Sequence, residues 1–427
     1  MLDPQPPKLP APADSPSRCD SVPAMLANPT ATVVSEDRAG VSVPASGVDF
    51  VAGSDSAVAV EVTVPRRATW FECFGDLVFV AAIGQVTHRV GAHPDDGSVA
   101  AAAGLFVPLW WAWVLYAVHA NRADRDSNPH RLLTTAGLAG VVGMAVFAGG
   151  VGRGSDADAG FVIAYLVARA GVAALYGWDS RRDVALRPVF RSFTLGSAAS
   201  AVLWLGGLVF EAGPLRYGIW AAAMLFELAL PLLAGRRLAR VSQETEHLQE
   251  RFGLFTIIVL GESVLGFTNG LAAARTASWA GVTAVAAFAL TAGLWWSYFN
   301  GGKMRPNAHA QLARTGKLLH IYVFGHLPLL LGLALTGASM GIAVSACIVG
   351  GVAVYLLSVA MIRSAFTGFG EGVVVIRVLT AALALASLPL ATHVPVAALL
   401  TVLAVLLAVS VMVEAPFHRR RMAIAAA

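Results

Sequence analysis

The amino-acid sequence predicts an all-α fold: a polytopic membrane helix bundle of about twelve spans, arranged as two tandem six-helix repeats. Three observations lead to this fold class. Hydrophobic residues make up 57% of the 427-residue chain and charged residues only 13%, whereas soluble domains carry about 25% charged residues. Apolar runs long enough to cross a bilayer recur along the chain. Short sequence blocks also appear twice, once in each half.

Residues 1–66 have a composition unlike the rest of the chain. They hold ten of the 21 prolines, together with Ser, Ala and Asp, and show no apolar periodicity. Such a segment cannot bury enough apolar surface to fold. It also lacks the basic and then apolar order of a signal peptide. We therefore predict a disordered cytoplasmic tail.

Twelve apolar runs follow this tail, and each has about the 20 residues that a helix needs to cross the hydrocarbon core. The first and third contain polar residues or glycines, so a count of ten or eleven spans also fits the pattern. The runs cover residues 70–89, 99–120, 132–150, 159–177, 192–211, 215–234, 253–273, 279–299, 318–337, 341–361, 373–391 and 394–413.

Basic residues are distributed unevenly between the two sides of these spans. With a cytoplasmic N-terminus, 22 Lys and Arg residues fall on the cytoplasmic side and four on the opposite side. Cytoplasmic loops of membrane proteins carry such an excess. The pattern predicts a multi-pass protein of the cytoplasmic membrane with both termini in the cytoplasm. Because the basic residues lie in these loops, membrane topology explains the basic charge. We therefore expect the lipid bilayer as a partner and expect no nucleic acid to bind.

Two sequence blocks recur at matching positions of the two halves. Glu-Cys-Phe-Gly at 72–75 opens the first span, and Glu-Arg-Phe-Gly at 250–253 opens the seventh. Trp-Trp-Ala-Trp at 110–113 lies in the second span, and Trp-Trp-Ser-Tyr at 295–298 lies in the eighth. Six spans is an even number, so two copies would share one orientation, as in parallel-repeat transporters. The alternative is a chance match in a biased composition.

The predicted organisation is a tail at 1–66, a first half at 67–234, a cytoplasmic linker at 235–252, a second half at 253–415 and a basic C-terminus at 416–427.

Glu262 is the strongest candidate for a functional residue. It lies near the middle of the seventh span, where a charged side chain costs roughly 2.5–3.5 kcal/mol. Arg169 lies near the centre of the fourth span, so one interpretation is a permanent Glu262–Arg169 ion pair. The other is a proton- or ion-coupling site, because an unpaired carboxyl at this depth can carry a proton. In the first half, Gly84 occupies the position that aligns with Glu262.

Glu72 and Asp76 are four residues apart, so they lie on one face of the first helix near its start. A proton or a cation between them would relieve their repulsion. The simpler interpretation of Glu72 is a carboxylate that stabilises the positive end of the helix dipole. Asp76 lies deeper, and we expect it to line a polar cavity together with Gln85.

Histidine and tryptophan supply further candidates. Histidine side chains titrate near physiological pH, so His326 could serve in a proton relay, although a lone histidine can equally be a structural hydrogen-bond donor. Trp110 and Trp111 lie near the middle of the second span, where they either pack in the core or line a cavity. Trp295 in the eighth span is a further candidate for lining a cavity. No histidine, cysteine or carboxylate spacing indicates a metal site, and no cofactor is predicted.

Several blocks resemble the bacterial low temperature requirement protein A family. The resemblance covers residues 68–415 and implies a multi-pass membrane protein tied by name to growth in the cold, without a settled biochemical activity. The family usually has an acid where this chain has Asn300. The blocks are Trp-Phe-Glu-Cys-Phe-Gly-Asp-Leu-Val-Phe-Val at 70–80, Trp-Trp-Ala-Trp at 110–113, Asn-Arg-Ala-Asp at 121–124, Glu-Arg-Phe-Gly-Leu-Phe at 250–255, Gly-Glu-Ser at 261–263, Leu-Trp-Trp at 294–296, Tyr-Phe at 298–299 and His-Leu-Pro-Leu at 326–329.

The leading functional hypothesis is a secondary transporter or proton-coupled permease, with a proton or a small molecule as substrate. Glu262, Asp76 and Arg169 would form a polar path between the halves. The first alternative is a non-transporting membrane protein that supports cold growth or envelope homeostasis, with the charges serving only packing. The second is a membrane-embedded enzyme that acts on lipid. No Gly-rich phosphate loop, nucleophile elbow or Ser/Cys–His arrangement points to an enzyme, and no catalytic residue is predicted.

Overall fold

The computed structural model describes residues 48–49, 60–61, 67–92, 96–122, 127–184, 187–233, 245–273, 279–301, 316–342, 344–391 and 393–426. Residues 1–64 form a unit of their own. In it, strand β1 (Val48–Asp49) pairs antiparallel with strand β2 (Val60–Glu61). The rest of the predicted disordered tail, and most of the predicted linker at 235–252, lie outside the described residues.

From residue 65 onward the described chain is all-α and forms one compact unit, as the composition predicts. Its helices are α1 (Trp70–Ala92), α2 (Asp96–Arg122), α3 (Asn128–Ala148), α4 (Ser155–Ser180), α5 (Arg187–Gly207), α6 (Pro214–Leu233), α7 (Thr245–Ala273), α8 (Ala280–Gly301), α9 (Gly316–Ile342), α10 (Ser345–Thr367), α11 (Gly372–Ala386), α12 (Leu388–Ala391) and α13 (Val396–Ala426).

Eleven of the twelve predicted spans fall mainly on a single helix. Among the described residues, ten helices are long and apolar enough to cross a membrane. Helix α5, which carries Arg187 and Arg191 in its first turns, is not among them, and α11 is a shorter apolar helix. The predicted span 373–391 is interrupted at Ser387. Pro389 follows two residues later and has no backbone N–H to donate to the Leu385 carbonyl, so the hydrogen-bond ladder of α11 cannot continue through it.

The two halves of the chain share an order of helix neighbours. In the first half, α1 packs on α2 and α3, α3 on α4, α4 on α5, and α5 on α6. In the second half, α7 packs on α8 and α9, α9 on α10, α10 on α11, and α11 on α13. Helix α7 begins at Thr245, so we count residues 245–252 of the predicted linker with the second half. Contacts between the halves run mainly from α1 and α2 to α7 and α9. The α1–α7 and α1–α9 contacts therefore bring the halves together around α1.

Glycines allow the backbones of α7 and α9 to come into direct contact. Gly266 and Gly270 of α7 face Gly337 and Gly341 of α9. A Cβ atom added at Gly266 would lie 2.8 Å from the carbonyl oxygen of Gly337. Pairs of small residues four apart are the usual basis of such close helix packing in membranes.

This packing makes Gly266→Ala a destabilising change. The added methyl group has to displace the backbone of α9, and overpacking of this kind costs about 1–3 kcal/mol. Gly261→Ala on the same helix is the matched control, because a Cβ there meets no atom within 4 Å. Unfolding in detergent should show a lower midpoint for Gly266→Ala and an unchanged or higher one for Gly261→Ala. Equal midpoints would contradict the close contact.

Candidate functional site

A cavity of about 80 Å³ lies among α1, α2, α3, α4 and α7. That volume is sufficient for a few water molecules. It lies where α1, α3 and α7 begin and where α2 and α4 end. Its polar lining includes Glu72, Asp76, His119, His130 and Arg251. The cavity therefore brings together ionisable groups that are far apart in the sequence.

The start of α1 fixes the position of Glu72. The Thr69 backbone N–H donates to Glu72 Oε2 at 2.7 Å, and the Glu72 N–H donates to Thr69 Oγ1 at 3.2 Å. This reciprocal arrangement is a capping box, which the Thr-x-x-Glu spacing favours. Glu72 also reaches α7, because its Oε1 lies 3.5 Å from Arg251 Nη1 and its Oε2 lies 3.3 Å from His247 Nε2. Glu72 thus caps its own helix and contacts the second half.

Asp76 makes the shortest of the contacts between α1 and α7. Its Oδ1 accepts hydrogen bonds from Arg251 Nη2 at 2.5 Å and from Trp113 Nε1 at 2.7 Å. Asp76 is fully buried, and its Oδ2 has no hydrogen-bond partner. The repulsion between Glu72 and Asp76 is therefore relieved by one guanidinium that both carboxylates share. We call Glu72, Asp76 and Arg251 the inter-half cluster.

Packing of α2 on α7 orients Trp113 toward this cluster. The Trp113 ring stacks on Phe255, with centroids 4.0 Å apart, and meets Phe252 edge-on at 4.8 Å. Sequence reasoning considered Trp110 and Trp111 and missed Trp113. The repeated block at 110–113 ends on Trp113 and was the one signal that could have indicated it.

A second group of ionisable residues lies beside the same cavity. His119 of α2 and His130 of α3 both contact Asp179 of α4, and all three are buried. Their candidate ligand atoms lie within 4.8 Å of one another. Sequence reasoning found no metal-ligand spacing, because the three residues come from three helices and are up to 60 residues apart.

Arg169 does not pair with Glu262, so the predicted ion pair is wrong. Arg169 Nη2 lies 3.2 Å from Glu227 Oε2 and donates to Ser197 Oγ at 2.9 Å. Glu227 also accepts a hydrogen bond from Tyr165 at 2.6 Å. The reason is the position of the helices: Arg169 is on α4, which packs on α3 and α5, whereas Glu262 is on α7, which packs on α1, α8 and α9.

Glu262 instead lies against α1. Its carboxyl group occupies the space that a side chain at Gly84 would fill, since a Cβ there would lie 2.9 Å from Glu262 Cδ. Glu262 is half-buried. Within the part of the chain that the structure describes, its carboxylate has no hydrogen bond or ion pair. His88, one turn after Gly84, is close enough to interact with it electrostatically.

The predicted cavity-lining residues do not line this cavity. Trp110 and Trp111 are buried and pack on Phe324 of α9, with ring centroids 6.1 and 6.0 Å away, so they belong to the core. Gln85 and Trp295 are exposed on the outer surface of the helix bundle, and Trp295 is 43% exposed. The position of a residue along a predicted span indicates its depth in the membrane, but it does not indicate which face of the helix the residue is on.

His326 is fully buried in a hydrogen-bonded position. Its Nδ1 lies 2.7 Å from the Tyr322 carbonyl oxygen, which can only accept. Nδ1 therefore carries a hydrogen. Its Nε2 lies 2.8 Å from the Tyr298 hydroxyl and accepts from it when the imidazole is neutral. His326 thus connects α8 to α9, which matches the structural-donor interpretation, and it is not part of the cavity lining.

Comparisons with known proteins agree with the membrane-bundle architecture. The family model described as bacterial low temperature requirement A protein (LtrA) matches residues 67–412. A protein of Rhizobium meliloti (strain 1021), described as uncharacterized, is 30% identical over 293 residues, which are 65% of this chain and 69% of that protein. The family match contains the whole cavity lining.

Loss of Glu227 should destabilise the protein far more than loss of Glu262. Glu227→Gln leaves Arg169 buried without its counter-charge, and breaking a buried pair costs about 3–5 kcal/mol. Glu262→Gln removes no hydrogen bond or ion pair among the described residues. Unfolding in detergent at neutral pH measures both variants. A larger loss for Glu262→Gln than for Glu227→Gln would contradict the assignment of partners.

Proposed function

The chain belongs to the bacterial low temperature requirement A family, and we propose that it is a proton-coupled secondary transporter. It is a multi-pass membrane protein with buried ionisable groups. The observation that supports transport most directly is the inter-half cluster. In it, Arg251 of the second half is shared by Glu72 and Asp76 of the first half, in the wall of a cavity.

The charges of the inter-half cluster favour the binding of a proton. Two carboxylates face one guanidinium, and Asp76 Oδ2 has no hydrogen-bond partner although it is buried. A buried charge without compensation is costly. A proton on Asp76 would remove this cost. Intramembrane ionisable residues commonly serve such proton relays.

Protonation then changes the contact between the halves. A neutral Asp76 carboxyl no longer attracts the Arg251 guanidinium as an ion, so the contact between α1 and α7 weakens. Alternating access in transporters is largely a movement of one half against the other around a central site. A proton that binds the open and closed arrangements with different affinity shifts the population between them.

Ion pairs inside each half support their movement as rigid bodies. Glu227 of α6 pairs with Arg169 of α4 in the first half, and Glu414 of α13 pairs with Arg377 of α11 at 2.9 Å in the second. All four side chains are almost fully buried. We propose that the halves arose by duplication, which the shared order of helix neighbours supports.

Glu262 is the proposed second proton site. It faces Gly84 of α1, eight residues beyond Asp76 on the same helix, which corresponds to a rise of about 12 Å. A proton released by Asp76 toward the membrane centre would reach Glu262 along the α1–α7 interface. Arg169 has no part in this path, because it forms an ion pair with Glu227.

The orientation of the protein is part of the proposal. We propose that the protein lies in the cytoplasmic membrane with both termini in the cytoplasm, which the excess of basic residues supports. The cavity then lies toward the cytoplasmic end of the bundle. Its volume of about 80 Å³ suits a proton with its waters or a small solute in this arrangement.

A non-transporting role is the alternative that a specific observation favours. Arg377 donates two hydrogen bonds to Glu414 and one to the Ser297 carbonyl. Arg377 is thus held by its counter-charge and three hydrogen bonds, and this ion pair needs no moving ion. If the inter-half cluster serves the same purpose, the protein supports cold growth or envelope homeostasis through its stability alone.

Reconstitution in liposomes decides between the two functions. Internal pH is followed under an imposed proton gradient for the wild type, Asp76→Asn, Glu262→Gln and the control Glu371→Gln, whose Arg363 pair lies outside the cavity lining. We expect proton flux in the wild type and the control, and the rate of empty liposomes in the other two variants. Wild-type flux in Asp76→Asn, or no flux in the wild type, would contradict the transporter.

A further inference from the structure

We propose that His119, His130 and Asp179 form a binding site for a divalent first-row transition-metal ion at the edge of the cavity. This inference does not depend on transport, because a protein that moves no solute can hold the same ion. It rests on the geometry of the three side chains, on the partners of Asp179 and Ser127, and on the position of the cavity.

The three side chains converge on one point. His119 Nε2 lies 3.0 Å from Asp179 Oδ2, and His130 Nε2 lies 3.1 Å from the same oxygen. All three side chains are at least nine-tenths buried, with Asp179 only 1% exposed. The ends of three helices, α2, α3 and α4, hold them, so the arrangement has little freedom to spread.

The donor set and the distances fit a metal ion. Two imidazoles and one carboxylate bind zinc in catalytic sites and other first-row ions in facial triads. Bonds of about 2.0–2.2 Å in a tetrahedral site place ligand atoms about 3.3 Å apart. The observed nitrogen–oxygen separations are within a few tenths of an ångström of that value. All three ligand atoms lie within 4.8 Å of one another, so an ion would enter after the imidazole and carboxylate groups draw together by side-chain rotation.

Asp179 provides an independent sign of a missing ligand. Its Oδ1 is buried and has no hydrogen-bond partner among the residues that the structure describes. It lies 2.9 Å from His130 Nε2, but without hydrogen-bond geometry. An oxygen of this kind in a buried carboxylate is costly unless something binds it. A metal ion between the carboxylate and the imidazoles would bind it.

Ser127 holds His130 in the orientation that a ligand needs. Ser127 is the N-cap residue of α3, where serine normally accepts a backbone N–H. Here it makes no such cap, and its Oγ lies 2.9 Å from His130 Nδ1 instead. When Nδ1 donates its hydrogen to Ser127, Nε2 presents its lone pair to the ion. Metal-ligating histidines usually have such a partner on the second ring nitrogen.

The cavity provides the remaining coordination position. Both histidines line it, whereas Asp179 lies behind them and outside the lining. Three protein ligands with an open fourth position are the arrangement of zinc sites that bind water or substrate. A water molecule or a small solute oxygen in the cavity would complete the coordination.

The same residues could instead form a metal-free clamp. In that state both Nε2 atoms carry hydrogens and donate to Asp179, which ties α2, α3 and α4 together. Metal binding needs the lone pair on each Nε2, so each of those hydrogens moves to Nδ1 of its own ring or is released, and the two states differ in metal content and in tautomer.

Metal binding to the full-length chain without a histidine tag tests the site. The protein is stripped with a chelator and titrated with Zn²⁺ against a chromophoric competitor, and Co²⁺ is added separately to record the absorption of a tetrahedral site. We expect about one ion per chain in the wild type. Asp179→Asn and His130→Ala should lose the site. The exposed control His88→Gln should bind as the wild type does.

Ser127→Ala keeps the test valid if the ligand variants fail to fold. Ser127 binds no metal itself, so its loss should weaken Zn²⁺ affinity by about tenfold or more while the fold persists. A wild-type protein that binds neither Zn²⁺ nor Co²⁺ overturns the site. Binding that is unchanged in Asp179→Asn, His130→Ala and Ser127→Ala overturns it as well.

Discussion

A charge buried among membrane helices is costly unless a group of opposite charge lies close to it. Arg251 meets this constraint with carboxylates on another helix, Glu72 and Asp76. The partners belong to opposite halves of the chain, 175 residues apart. The constraint that stabilises one guanidinium therefore also determines how the halves meet. Removing Arg251 leaves Asp76 buried without its counter-charge, which is the costly outcome.

The buried ion pairs fall into two kinds with different consequences. Arg169–Glu227 and Arg377–Glu414 each lie within one half and join helices that can move together. The inter-half cluster joins helices that belong to different halves, and it has more negative than positive groups. A change of protonation therefore acts on the contact between the halves and leaves each half intact. Glycine contacts such as Gly266 with Gly337 add close packing within the second half.

Hydropathy was sufficient to predict the helices because the bilayer leaves so few alternatives. Every backbone polar group must be satisfied inside the segment, so long apolar runs become helices. The interruption at Ser387 was not predicted, because the apolar composition continues through Pro389. The shared face of Glu72 and Asp76 followed from their spacing alone, since four residues make about one turn.

Partners across helices could not be predicted, because depth in the membrane says nothing about direction around the helix axis. Arg169 and Glu262 have similar depths, yet they lie on helices that do not pack together. Trp295 was expected to line a cavity, yet it faces outward. The His119–His130–Asp179 group depends on three helix ends meeting, and no pattern within one helix encodes that meeting.

The central claim is that protonation of Asp76 loosens the contact between α1 and α7. The most direct test is the distance between spin labels at the exposed positions Phe74 of α1 and Ile257 of α7, in a background without native cysteines. The account predicts a longer distance at low pH and in Asp76→Asn at neutral pH, with no change in Glu371→Gln. A distance that stays the same in Asp76→Asn and at low pH would contradict it.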